Sequence, residues 1–156
     1  MAEVDQVDQV EKEIRFDLPI DRAKVQEFAI AVGEDNPICL DLEAARQAGL
    51  PDIVAPPTFT VTQILVVNRD ERERRLGANL DYGRVLHGEQ EFHYERLPFA
   101  GEVLGGVMRI SKDFIKEGKR GGTMRFVTYE SIFTDAQGEI VLTAYYTLIE
   151  TSKDVG

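Results

Sequence analysis

The chain has 156 residues, the length of one compact domain, and 43% of them are hydrophobic, enough to fill a core of that size. With 18 Lys and Arg against 28 Asp and Glu the formal charge is −10, a surface that repels polyphosphate and argues against a nucleic-acid partner. A single cysteine excludes an internal disulfide, and one Cys with two His gives no zinc-ligand spacing, so no metal and no other cofactor is expected.

The N-terminus lacks a basic region followed by an apolar run, and no apolar stretch is long enough to span a bilayer. A soluble cytoplasmic protein without membrane association is the expectation. Glu3, Asp5, Asp8 and Glu11 predict a solvated tail over residues 1–12, ahead of a single domain over 13–150 and a short tail over 151–156.

Glu13 to Ile20 predicts a strand, with Ile14, Phe16 and Leu18 alternating against charged residues. Asp21 then caps a helix, Ile20 and Val25 are placed for a hydrophobic staple, and Val25, Phe28, Ala29 and Val32 form its core stripe. Gly33 stops it. A second, short helix follows Asp41, with Ala44, Ala45 and Ala48 on one side, Gly49 after it and Pro51 beyond. Pro56 to Val67 is ambiguous: Pro57 suits a first helical turn, while Val61, Thr62, Ile64, Val66 and Val67 are β-branched. Apolar residues lie all round it, which predicts burial in either state. Residues 69–75 are a mixed-sign run, expected to be an exposed loop or helix end.

From Arg84 onward the pattern is β. One strand holds residues 86–94; others are expected over Val103–Phe114, Thr123–Phe133 and Ile140–Glu150, with a hairpin turn at residues 135–138. Helices in the first half and strands in the second predict α+β with an antiparallel sheet.

Ala31-Val32-Gly33-Glu34-Asp35-Asn36-Pro37-Ile38-Cys39 resembles the pattern G-D-x-N-P-x-H, the catalytic loop of the MaoC-like (R)-hydratases and dehydratases. Ala55-Pro56-Pro57-Thr58-Phe59 resembles the entry to the central helix of those proteins. The segments Leu86 to Phe92, Arg96 to Glu102 and Lys116 to Gly122 are similar to the FAS1-like dehydratase branch, and to the non-catalytic subunits of two-subunit (3R)-hydroxyacyl dehydratases. The resemblance implies a hot-dog fold, a curved antiparallel sheet wrapped around a central buried helix, and it favours helix over strand for residues 56–67. It also implies a division of labour. One hot-dog unit carries an Asp/His pair; the other lacks it and supplies part of the acyl tunnel. The two pair into a continuous sheet. The ligand it implies is an acyl thioester of coenzyme A or acyl carrier protein; the partners are a second MaoC-like subunit, a further copy of this chain, or both. The reaction is reversible dehydration of a (3R)-hydroxyacyl thioester to the trans-2-enoyl form.

By the same resemblance Glu34 and Cys39 stand at the catalytic Asp and His positions. That chemistry needs a carboxylate and an imidazole to hold one water and move its proton. A thiol, with a pKa of about 8.5, is a poor shuttle, and Glu displaces the carboxylate by a methylene. The pair is therefore expected to be degenerate, with Cys39 a small, partly buried side chain. Asn36 and Pro37 shape a tight turn and are candidate substrate contacts. His87, Glu89, Glu91 and His93 are expected on one strand face, about 6.6 Å apart in succession, forming a polar face or subunit seam rather than a metal site. His87 is a candidate for the cleft beside a partner chain. Lys116, Lys119 and Arg120 concentrate positive charge, Lys119 and Arg120 being candidate ligands for coenzyme A phosphates; a basic hairpin turn is the alternative. Two other functions stay open: a self-sufficient hydratase using Glu34 with a second group such as His87, and a non-enzymatic binding module whose tunnel is filled by aromatic side chains.

Overall fold

The structure is a computed structural model and describes residues 12–118 and 122–152. Its described strands form one antiparallel sheet in the order β1-β3-β4-β5-β2: β1 is Glu13–Pro19, β2 Val85–Tyr94, β3 Val103–Glu117, β4 Thr123–Thr134 and β5 Ile140–Thr151. The last three strands make a meander. Its β4–β5 turn closes where Asp135 N–H donates to Glu139 O and Gly138 N–H to Asp135 O, at the predicted position. Bulges between His87 and Glu89, between Ile110 and Lys112, and between Phe133 and Thr134 bend the sheet.

The first half of the chain packs across the inner face of this sheet. Helix α1, Arg22–Val32, starts at Asp21, whose Oδ1 accepts from Lys24 N–H at 3.2 Å, and ends at Gly33, which takes the left-handed φ of +73° that glycine adopts without strain. Val25 and Ala29 are buried as the periodicity predicts, but Val32 is 53% exposed. The chain turns at Gly33, and Glu34 N–H folds back to donate to Ala29 O, so the loop covers Ala29 and leaves Val32 outside. Two short helices follow, α2 over Pro37–Leu40 and α3 over Leu42–Gln47, the latter capped by Asp41.

Phe59–Leu65 is a 3₁₀ helix running from one core cluster, around Phe59, Leu18, Val25 and Phe133, towards a second, around Val67, Met108, Tyr129 and Leu148. Among the described residues no neighbouring strand completes a ladder for it, so nearby carbonyls of the same segment take its N–H groups: Phe59 N–H donates to Pro56 O and Val61 N–H to Thr58 O. This overrides the β-branched composition. Burial is one-sided. Phe59, Thr60, Gln63 and Val67 face inward, whereas Ile64 and Leu65 are 53% and 77% exposed, because the sheet covers only one side of the segment. The mixed-sign run is not a loop but helix α4, Arg69–Leu76, capped by Asn68 and by Gly77, and two of its residues, Arg72 and Leu76, are buried. No helix among the described residues is long and apolar enough to cross a membrane.

Candidate functional site

Every shape-determining residue of the loop after α1 has a visible job. Gly33 supplies the left-handed turn, Asn36 Oδ1 accepts from Ile38 N–H at 3.2 Å to cap α2, and Pro37 opens that helix, where its missing N–H costs nothing. Glu34 is half-buried, and its Oε1 accepts from Asn36 N–H at 3.0 Å, so the carboxylate is engaged within the loop itself. Cys39 is 4% exposed, packed with Ala29 and Val54. Burial, and then the charge of Glu34, push its thiol pKa up. A protonated, enclosed thiol is poorly suited to hold or move a water proton.

The second feature is a cavity of about 220 Å³ between the central 3₁₀ helix and the inner face of the sheet. Val61, Ile64 and His87 form its exposed rim; Gln63, Val67, Arg72 and Met108 are its buried walls, with Tyr146 and Gln90 beside them. His87 reaches this rim because of the bulge. Gly88 is the extra residue, and it turns His87 to the side of Gln90 and Tyr146, away from Glu89, Glu91 and His93. The expected four-residue face is thus split. The His87 ring lies parallel to that of Tyr146 at 6.3 Å, and Tyr146 stacks on Tyr129 at 4.9 Å.

Arg72 completes the stack, its guanidinium 4.8 Å from the Tyr129 ring centroid and 5.4 Å from that of Tyr146. It donates to Tyr82 Oη at 2.7 Å and lies 3.8 Å from Glu73 Oε1. That same carboxylate oxygen accepts from the Tyr82 and Tyr129 hydroxyls at 2.7 and 3.0 Å, so the buried positive charge has its counter-charge in place. Burial pushes the phenols of Tyr129 and Tyr146 well above the usual tyrosine range. Sequence reasoning missed Arg72, Gln63 and Tyr146. A signal existed for Arg72: it stands four residues before Leu76, the only aliphatic residue of α4, which places both on one helical face.

On the outer face of the sheet Glu89, Glu91, His93, Lys112, Lys116 and Tyr145 line a separate groove. Lys116 holds its ammonium over the rings of Phe114 and Phe126, at 5.1 and 5.5 Å, which puts it on the opposite side of the sheet from the cavity. Lys119 and Arg120 lie outside the described residues.

An antiparallel sheet folded over one central helical segment, with a Gly-Glu-x-Asn-Pro loop after α1, is a hot-dog fold of the MaoC-like type. The sequence model of the FAS1-like, dehydratase domain region matches residues 11–144, and the chain belongs to that family. Among its relatives are UPF0336 protein Lxx02810 of Leifsonia xyli subsp. xyli, 42% identical over 131 residues covering 82% of each chain, and a UPF0336 protein of Clavibacter michiganensis subsp. michiganensis, 43% identical over 86% of this chain and 87% of that one. The fold is similar to the C-terminally truncated HadBC complex, a (3R)-hydroxyacyl-ACP dehydratase from Mycobacterium tuberculosis, with a TM-score of 0.74 and 28% identity over 89% of this chain and 95% of that one. It is also similar to a MaoC-like dehydratase, with a TM-score of 0.76 and 29% identity, where it spans 92% of this chain but 42% of that longer one.

Proposed function

We propose that this chain is the substrate-binding half of a two-subunit (3R)-hydroxyacyl-thioester dehydratase, equally an enoyl-thioester hydratase. The observation that carries the reading is the contrast at the site: the loop keeps its backbone bonds, its second catalytic position is a thiol closed into a core cluster, and a cavity stays open beside the central helix. On this reading the partner is a second hot-dog subunit with a complete Asp/His loop. That pair delivers water to C3 and a proton to C2 of the trans-2-enoyl thioester, and reverses both in dehydration. This chain receives the acyl part in its cavity, orients it and keeps water from it. The thioester is one of coenzyme A or acyl carrier protein, which belongs to the cytoplasm.

The surface supports a partner. β2 is an edge strand whose outer side has no strand beside it among the described residues, and exposed Val61, Ile64, Leu65 and Leu86 lie along the helix and edge that border the cavity mouth. The similarity to HadBC, itself a complex, points the same way. An open cavity with Tyr146 as a wall also disfavours a binding module whose tunnel aromatic rings have filled. The test is reconstitution: co-expression with a subunit from a neighbouring reading frame that carries an intact Gly-Asp-x-Asn-Pro-x-His loop. A co-purifying complex that hydrates enoyl thioesters, and loses that activity when the partner's His is replaced, is expected; two chains that purify apart and inactive contradict it.

A further inference from the structure

The cavity beside the central helix has a polar floor, and the chemistry of that floor narrows the acyl group; the inference rests on the reading that this cavity receives the acyl part. Gln63 and Arg72 are each more than nine-tenths buried and line the cavity. Gln63 Oε1 and Arg72 Nε are buried without a hydrogen-bond partner among the described residues, as is the hydroxyl of Tyr146, which lines the same cavity. Unpaired buried polar atoms are uncommon and costly, and three at one cavity mark a place where another molecule supplies the missing bonds.

What is unpaired is one acceptor, the Gln63 carbonyl oxygen, and two donors, the Arg72 N–H and the Tyr146 O–H. A hydroxyl group offers the complement, one donated hydrogen and two lone pairs. A bare hydrocarbon chain satisfies none of the three. A carboxylate satisfies the donors but not Gln63, and it brings a negative charge to a floor where Glu73 already lies 3.8 Å from Arg72 and neutralises it. The volume of about 220 Å³ holds roughly seven groups of water size at ~30 Å³ each, so the enclosed part of the ligand is short.

We infer that this chain selects short acyl thioesters bearing a hydroxyl group at the far end of the acyl chain, distinct from the 3-hydroxyl that the reaction forms and removes. The rim of Val61 and Ile64 and the wall of Met108 and Val67 pack the intervening methylenes, and Gln63, Arg72 and Tyr146 read the terminal oxygen. Tyr146 is the adjustable member, since its ring is held by stacking between Tyr129 and His87 while its hydroxyl is free to turn.

The experiment titrates the full chain by calorimetry with two saturated, unreactive probes, hexanoyl-CoA and ω-hydroxyhexanoyl-CoA. The hydroxylated probe is expected to bind about tenfold more tightly or better, because sites built to hydrogen-bond a hydroxyl reject the analogue lacking it. Tyr146→Phe and Gln63→Leu, which remove one unpaired group each and leave Arg72 paired with Glu73, should shrink that ratio to about threefold or less. Equal affinity of the parent for the two probes, a comparison that needs no variant, overturns the inference alone, as does a preference that survives both substitutions. Failure of both probes to bind removes the acyl-cavity reading itself, and the inference with it.

Discussion

Cys39 sits in a small cluster with Ala29 from α1 and Val54 from the segment before the central helix; Ile38, Leu40, Leu50 and Phe99 pack against it, and Val54 N–H donates to Ile38 O at 3.0 Å. An imidazole in the same place adds volume and two ring nitrogens that need partners. Cys39→His is therefore expected to destabilise the fold by about 1–3 kcal/mol, read as a melting temperature ~2–4 °C lower per kcal/mol, and to confer no hydratase activity even when combined with Glu34→Asp. An unchanged melting temperature together with new turnover would show that the loop can accept the pair as it stands. The thiol also sets a direction with pH. Its folded pKa is raised, so what it adds to stability is complete below the ordinary thiol value of about 8.5 and is lost as pH rises through the folded value. Alkylation of the native protein at neutral pH should be slow, and fast once urea has unfolded it.

Elements were legible where a local signal coincided with a tertiary need. Asp21, Asp41 and Gly33 mark helix ends in the sequence and sit at those ends in the structure, and Ile14 and Leu18 alternate in sequence and are both buried, one in each of the two larger core clusters. The retained loop could be read from Gly33, Asn36 and Pro37 because each acts on its own backbone. Other features depended on distant residues. The turn of His87 into the cavity comes from one extra residue, Gly88, which simple alternation along β2 does not reveal. Burial of Arg72 depends on Glu73 beside it, Tyr82 past the helix, and Tyr129 and Tyr146 from two later strands, which only the fold brings together. The central segment hid a one-sided burial because its apolar residues say nothing about which side the sheet covers. Sheet packing offers its own test at Gly106, which pairs with Phe16 and lies against that ring, leaving no room for a methyl group. Gly106→Ala should cost about 1–3 kcal/mol in urea unfolding with an unchanged m-value; a loss below ~0.5 kcal/mol would mean the ring moves aside freely.

The whole molecule presents an apolar strip, Val61, Ile64 and Leu65, beside an edge strand, which argues that it works as an assembly. Light scattering at micromolar concentration should give a mass above the 17.5 kDa of one chain, and Ile64→Asp with Leu65→Asp should lower it; a monomeric parent counts against this. Stability should be flat near neutrality and fall on both sides. Asp52, hydrogen-bonded by Arg22, and Asp81, hydrogen-bonded by Arg84, have lowered pKa values, so their contribution is present above the ordinary carboxylate range and is lost as pH falls through the folded values. Burial pushes Tyr94 up to about 12 and Tyr146 further, so their contribution is present below the ordinary tyrosine value of about 10 and is lost as pH rises. A thermal melt series across pH checks both arms. The central claim, that this chain shapes and holds the acyl group but does not move the water, is tested most directly by giving the purified chain alone a series of short trans-2-enoyl-CoA thioesters and following loss of the conjugated double bond. The account predicts a rate no higher than that of the buffer, with Glu34→Gln changing nothing; robust turnover by the unmodified chain, abolished by Glu34→Gln, would contradict it.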